Sequence, residues 1–84
     1  MSKKRQNNEP EVVGFLGVGL DNKDEHKRIT TSEHFFLVGG SEETHERMQD
    51  TAIRFTEALN RRGKTLKETS VTEALDLLHK AIDP

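Results

Sequence analysis

The sequence contains no cysteine, no tryptophan and no tyrosine, and these absences exclude several means of stabilisation and recognition. Without cysteine, neither a disulfide nor a thiolate metal site can stabilise the fold. Without tryptophan or tyrosine, the side chains that dominate interface hot spots and base-stacking platforms are missing. Only four phenylalanines supply aromatic surface. Stability must therefore come from burial of aliphatic and phenylalanine side chains, hydrogen bonds and charge.

Long apolar runs are also missing. No stretch approaches the ~20 apolar residues of a transmembrane helix. The basic segment Lys3-Lys4-Arg5 is not followed by the hydrophobic run of a secretory signal. These features predict a cytoplasmic protein with no membrane contact. The formal net charge of −2 argues against a general nucleic-acid binder, because such binding depends mostly on neutralising phosphates.

Little of the chain is available for a core. Only 31% of the 84 residues are hydrophobic, and residues 1–10, apolar only at Met1, predict a disordered tail. Residues 11–84 would then form one small domain, in which apolar burial barely exceeds the entropy cost of folding. Self-association is the simplest source of further burial, so we expect a homodimer.

Two strands are predicted before the helices, at residues 11–20 and 28–38, with the polar loop 21–27 between them. Alternate residues of the first strand form one continuously apolar face, which we expect to meet the core: Val12, Leu16, Val18 and Leu20. Three glycines in this strand indicate close packing rather than a ligand cradle: Gly14, Gly17 and Gly19. The end of the second strand is apolar on both faces, which predicts cover on both sides or a subunit interface.

The first helix is predicted at residues 41–62. Ser41 is a favoured N-cap, and Gly63 suits the left-handed position after the helix. One face is apolar apart from a histidine: His45, Met48, Ala52, Phe55 and Leu59. Ile53 lies off this stripe and suggests a partner surface.

The second helix is predicted to begin at the capping box Ser70-Val71-Thr72-Glu73, although Thr65 to Glu68 offers an earlier one. Its predicted apolar stripe consists of Val71, Ala74, Leu75, Leu78 and Ile82, and Leu77 and Ala81 widen it. The expected fold is α+β in the order β-β-α-α, a two-stranded antiparallel hairpin packed against two helices.

Two surfaces are candidates for function. The predicted interface contains Phe35, Phe36, Leu37, Val38 and Ile53. A possible basic patch surrounds the turn between the helices and contains Arg61, Arg62, Lys64 and Lys67. A structural role would also explain this basic patch, because cations near a helix C-terminus complement the helix dipole.

No residues are predicted to be catalytic or to bind a cofactor or metal. Glu42 and His45 lie one turn apart on the first helix, but no second pair completes a ligand set. The Gly39-Gly40-Ser41 junction offers free amides to an anion. Glu42 and Glu43 would repel one, so we interpret the junction as a structural turn.

A strand followed by two helices, the second opening with Ser70-x-x-Glu73-Ala74, resembles the ribbon–helix–helix repressors. That resemblance implies DNA binding through the strand. The first helix is nearly twice the length used in that family, and the strand carries Thr31, Glu33 and Phe35 where base-reading residues are usually basic or amide. The chain is therefore not assigned to that family.

We expect a small non-enzymatic module that acts through self-association or binding of a protein partner. Two alternatives stay open. One is a nucleic-acid-binding regulator that uses the basic turn and tail, and the other is a small dimeric enzyme or metal-binding protein.

Overall fold

The computed structural model describes residues 10–83, in which three strands precede two α-helices. Their bounds are β1 Phe15–Gly19, β2 Ile29–Thr31, β3 Phe35–Gly39, α1 Glu42–Arg61 and α2 Val71–Ile82, with a short 3-10 helix at Leu66–Glu68. The predicted α+β class with two helices is confirmed. Residues 1–9 of the predicted disordered tail lie outside the described residues.

The predicted two-stranded hairpin is wrong, because the sheet has three strands in the order β1-β3-β2. The predicted strand at 28–38 is divided at Ser32-Glu33-His34 into β2 and β3, which pair antiparallel. The Ser32 N–H donates to the Phe35 carbonyl at 2.8 Å and closes this turn. β1 pairs parallel with β3, so the loop between β1 and β2 crosses the end of β3.

β1 faces the helices with the side opposite to the one expected. Phe15 packs against the core, whereas Leu16, Val18 and Leu20 are exposed to solvent. Gly17 lies on the side of β1 that faces the helices, where a Cβ would lie 2.8 Å from the Leu37 Cδ2 and 3.0 Å from the Met48 Sδ. The glycine therefore lets β1 approach α1 closely, and a larger residue would require these two side chains to move.

The core lies between one sheet face and the two helices. Phe55 of α1 is completely buried, and its ring meets those of Phe15 and Phe35 edge-on at centroid distances of 5.1 and 5.5 Å. Leu59 of α1 and Leu77 of α2 are also buried. The stripe predicted on α1 is confirmed, because four of its five residues are buried and Met48 packs against them.

α2 presents a slightly different face from the predicted one. Ala74, Leu77 and Ala81 are buried, whereas Leu75 and Ile82 are largely exposed. α2 begins where it was predicted, because the Ser70 hydroxyl accepts a hydrogen bond from the Glu73 N–H at 3.1 Å. The alternative start at Thr65 is instead the cap of the short 3-10 helix.

The junction between β3 and α1 relies on two glycines and a distant carboxylate. Gly39 and Gly40 have φ angles of +78° and +87°, which other residues rarely adopt. Asp21, from the loop after β1, accepts hydrogen bonds from the Ser41 N–H at 2.9 Å and from the Thr44 hydroxyl at 2.6 Å. This contact fixes the β1–β2 loop onto the N-terminus of α1.

No helix in residues 10–83 is long and apolar enough to cross a membrane.

Candidate interaction surface

One face of the sheet has no cover from the helices. Because side chains alternate along a strand, each strand places two residues on this face. The pairing register arranges them in two rows, the first Leu16–Phe36–Thr31 and the second Val18–Val38–Ile29. We call these six residues the open sheet face.

The open sheet face is apolar and well exposed. The exposed fractions are 66% for Leu16, 54% for Val18, 62% for Ile29 and 45% for Phe36. These four side chains together expose on the order of 400 Å² in one continuous patch, a size that usually has a function in a monomeric protein. None of the six residues carries a charge and Thr31 alone is polar, so burial of the patch against another apolar surface desolvates no charged group.

A shallow depression of about 420 Å³ lies at one end of this face. Val13 and Leu16 line it from the β1 side, and Thr31, Glu33 and Phe36 line it from the β2–β3 side. Because Val13 is also highly exposed, the apolar surface extends beyond the strand itself.

The predicted interface residues do not form one surface. Phe35 and Leu37 are buried in the core beneath the helices, while Phe36 and Val38 lie on the open sheet face. Ile53 is exposed on α1, in the helix layer. The two apolar sides of this strand thus have different environments, one covered by helices and one facing solvent.

Sequence reasoning missed Leu16, Val18 and Ile29 as parts of this surface. The signal that could have located the first two was the glycine at position 17, between them in β1. A residue that lacks a side chain marks the side approached by another element, so the side carrying Leu16 and Val18 had to face away. Ile29 was missed because β2 was not recognised as a separate strand.

The predicted basic patch is divided by ion pairs. The Glu73 carboxylate contacts the Arg62 Nη1 at 2.8 Å and the Lys64 Nζ at 3.2 Å. Hydrogen bonds from Lys64 and Arg62 lower the pKa of the Glu73 carboxyl below its ordinary value. Arg61 and Arg62 both line a groove between the two α-helices, and Lys67 belongs to the short 3-10 helix.

The histidine on the apolar stripe of α1 has a structural role. His45 is buried, with its Nδ1 2.9 Å from the Gly39 carbonyl oxygen and its Nε2 2.8 Å from the Thr30 hydroxyl. Since a carbonyl oxygen can only accept, Nδ1 carries a proton and donates it to Gly39, while Nε2 lies within hydrogen-bond distance of the Thr30 hydroxyl. Within residues 10–83, no group of three histidine and acidic side chains is placed to hold a metal ion.

The possible anion site at the start of α1 is occupied by the protein itself. Hydrogen bonds from the Thr44 hydroxyl and the Ser41 N–H lower the pKa of the Asp21 carboxyl to about 2. Asp21 is therefore a carboxylate at neutral pH and supplies the negative charge that a helix N-terminus favours. The structural interpretation of this junction agrees with that geometry.

Comparison with known proteins gives no match at any level: no family description, no curated protein and no solved structure is significantly similar to this chain. The resemblance to ribbon–helix–helix repressors therefore gains no support. A functional interpretation must rest on the surface of the molecule.

Proposed function

We propose that this protein is a non-enzymatic interaction module that associates with a second copy of itself through the open sheet face. The observation that carries the proposal is the pair of uncharged rows formed by Leu16, Phe36 and Thr31 and by Val18, Val38 and Ile29. Such a continuous apolar face is unfavourable in water and favours burial against a partner.

The area of the face suits a dimer. A standard protein interface buries about 800 Å² on each partner, of which roughly 56–58% is apolar, or about 450 Å². The four exposed apolar residues of the open sheet face, Leu16, Val18, Ile29 and Phe36, supply on the order of 400 Å², so this face alone provides nearly the whole apolar share. The contact would be of standard size rather than large.

A second copy is a suitable occupant because the face can complement itself. In a two-fold symmetric contact the same patch lies on both sides, and charges need not be matched when the patch has none. Two sheets pack face to face about 10 Å apart with their side chains interdigitated. A dimer of this kind would be a four-layer arrangement with helices outside and both sheets inside.

The experiment is a molar-mass measurement on the intact chain and two variants. At tens of micromolar, light scattering should give about twice the chain mass of 9.5 kDa. The double variant Leu16→Thr, Phe36→Thr places residues of high strand propensity in the strands but removes apolar surface from the face, so it should be monomeric. Circular dichroism would check that it is folded.

Ile53→Thr is the matched control, because it removes an exposed apolar side chain from α1 and leaves the sheet untouched. This variant should stay dimeric. A monomeric wild-type chain would overturn the proposal. So would a dimer that Ile53→Thr dissociates and the double variant does not, since the interface would then lie on the outer side of α1.

Nucleic-acid binding and an enzymatic or metal-dependent role have less support than self-association. Nucleic-acid binding through the basic turn is not favoured, since Arg62 and Lys64 are paired with Glu73. An enzymatic or metal-dependent role has no observation that favours it over self-association.

A further inference from the structure

A second surface with a different chemistry lies in the helix layer, away from the open sheet face. It is a groove of about 450 Å³ between the C-terminal half of α1 and α2. We call it the helix groove and define it by six of its lining residues: Arg54, Ala58, Arg61, Leu77, Lys80 and Ala81.

The floor of the helix groove is apolar and made mostly of small side chains. Leu77 and Ala81 are buried beneath it, and Ala58 is half-buried. Because alanine fills little space, α1 and α2 leave a depression between them here. A small aliphatic side chain of a ligand could enter it and bury apolar surface.

The rim of the helix groove is basic, and one of its cations is held in place. The Arg54 Nε donates to the Ala81 carbonyl at 2.9 Å, near the end of α2. This bond fixes the guanidinium beside the groove and leaves its two terminal nitrogens without a partner among residues 10–83. Because a guanidinium fixed in this way loses little freedom on binding, it is well suited to a carboxylate.

The other rim cations are weakly engaged. Arg61 has no ion pair within residues 10–83, and Lys80 contacts only the exposed Asp76 carboxylate at 3.3 Å. Exposed pairs of this kind contribute little and exchange readily. Among the described residues that line the groove, Glu57 is the single acidic one, so the rim they form has a clear positive excess.

We propose that the helix groove binds an acidic amphipathic peptide segment of a partner protein. Arg54 and Arg61 lie two helical turns apart, about 10 Å along α1. Two glutamates seven residues apart on a helical peptide have the same separation, so each can meet one guanidinium. Apolar residues between them would then lie over Ala58 and Leu77.

A nucleic acid is a poorer occupant of this groove. Phosphate binding would not use the apolar floor, which an amphipathic peptide would bury. The first nine residues of the chain are a poor occupant too, since Lys3, Lys4 and Arg5 outnumber their single acid, Glu9. Charge complementarity and the apolar floor together favour an acidic peptide.

The test is fluorescence anisotropy with a labelled, helix-forming peptide that carries two glutamates seven residues apart and leucine or alanine between them. A matched peptide has glutamine in place of both glutamates. We expect saturable binding of the first and none of the second. The variant Arg61→Gln, Lys80→Gln should weaken binding by about tenfold or more, because it removes two rim charges and keeps helix-compatible side chains.

Arg47→Gln is the matched control, since Arg47 is exposed on α1 but does not line the groove. It should bind within about twofold of wild type. The open-face variant Leu16→Thr, Phe36→Thr should bind equally well, which separates this proposal from self-association. The proposal would be overturned if the groove variant bound the glutamate peptide as tightly as wild type does, or if wild type bound the glutamine peptide as tightly as the glutamate peptide. It would also be overturned if no binding were seen up to ~1 mM peptide. The proposal would also be overturned if wild type and both other variants were retained on immobilised duplex DNA and the groove variant alone were not.

Discussion

Replacing Phe55 with alanine would remove the centre of the core. Its ring is completely buried and contacts the rings of Phe15, Phe35 and His34 with centroid distances between 5.1 and 6.2 Å. These neighbours belong to β1, β3 and the turn before β3, so they are fixed in the sheet and could fill the vacated space only in part.

The free energy of unfolding that Phe55→Ala is expected to lose is a large share of the total. Deleting a buried phenylalanine side chain costs about 3–5 kcal/mol, and poor collapse of the site favours the upper end. A domain of this size has a free energy of unfolding of about 4–11 kcal/mol, from 0.05–0.15 kcal/mol per residue. The variant Phe55→Ala should therefore lose about a quarter or more of the free energy of unfolding, and its urea midpoint should fall well below that of the wild type.

Urea titration followed by circular dichroism at one fixed protein concentration would measure this loss. Glu57→Ala is the control, because Glu57 is exposed on the same helix and should change stability by less than about 0.5 kcal/mol. Similar losses for the two variants would refute the packing described for α1.

Two further predictions concern the contacts that position the sheet and the first loop. The folded-state pKa of Asp21 is about 2, below the ordinary value of 3.8. The stabilisation that the ionised Asp21 contributes to the fold is therefore complete above pH 3.8 and is lost as the pH falls toward 2. As the pH is lowered from 6 to 2, the urea midpoint should therefore fall less for Asp21→Asn than for wild type. The same pH dependence of the midpoint in both proteins would contradict this role. Gly19→Ala should destabilise by about 1–3 kcal/mol, since its Cβ would lie 2.5 Å from the Gly40 Cα and the backbone would have to move. The exposed Leu20→Ala should change the thermal midpoint little, and equal shifts in the two variants would contradict close packing of Gly19.

Local signals explain why α1 could be predicted from the sequence. The caps at Ser41 and Gly63 and the stripe through Phe55 depend on residues within one or two turns of each other. The structure places the ends of α1 within one residue of the predicted ones. The start of α2 at Ser70 was predictable for the same reason.

The sheet depends on contacts that the local pattern does not contain. Both sides of β1 are nearly free of polar residues, so alternation alone could not decide whether Phe15 or Leu16 faces the helices. The parallel pairing of β1 with β3 joins residues about twenty positions apart, as Phe15 and Phe35 do. The turn at Ser32-Glu33-His34 was hidden within a segment rich in β-branched and aromatic residues.

The candidate surface was only partly predictable for the same reasons. Phe36 and Val38 were identified because their strand is apolar on both sides. Leu16 and Ile29 join them only through the register of β1 and β2 against β3. Likewise, the ion pair of Arg62 depends on where Glu73 of α2 lies in space.

The most direct test of the central claim is isotope-filtered NMR on a mixture of labelled and unlabelled chains. In the proposed dimer, the Phe36 ring of one copy should give nuclear Overhauser effects to the Leu16 and Val18 methyl groups of the other. Intermolecular effects confined to Ile53 would place the interface on α1 instead. A sample without intermolecular effects and with the tumbling time of a 9.5 kDa monomer would contradict self-association through the open sheet face.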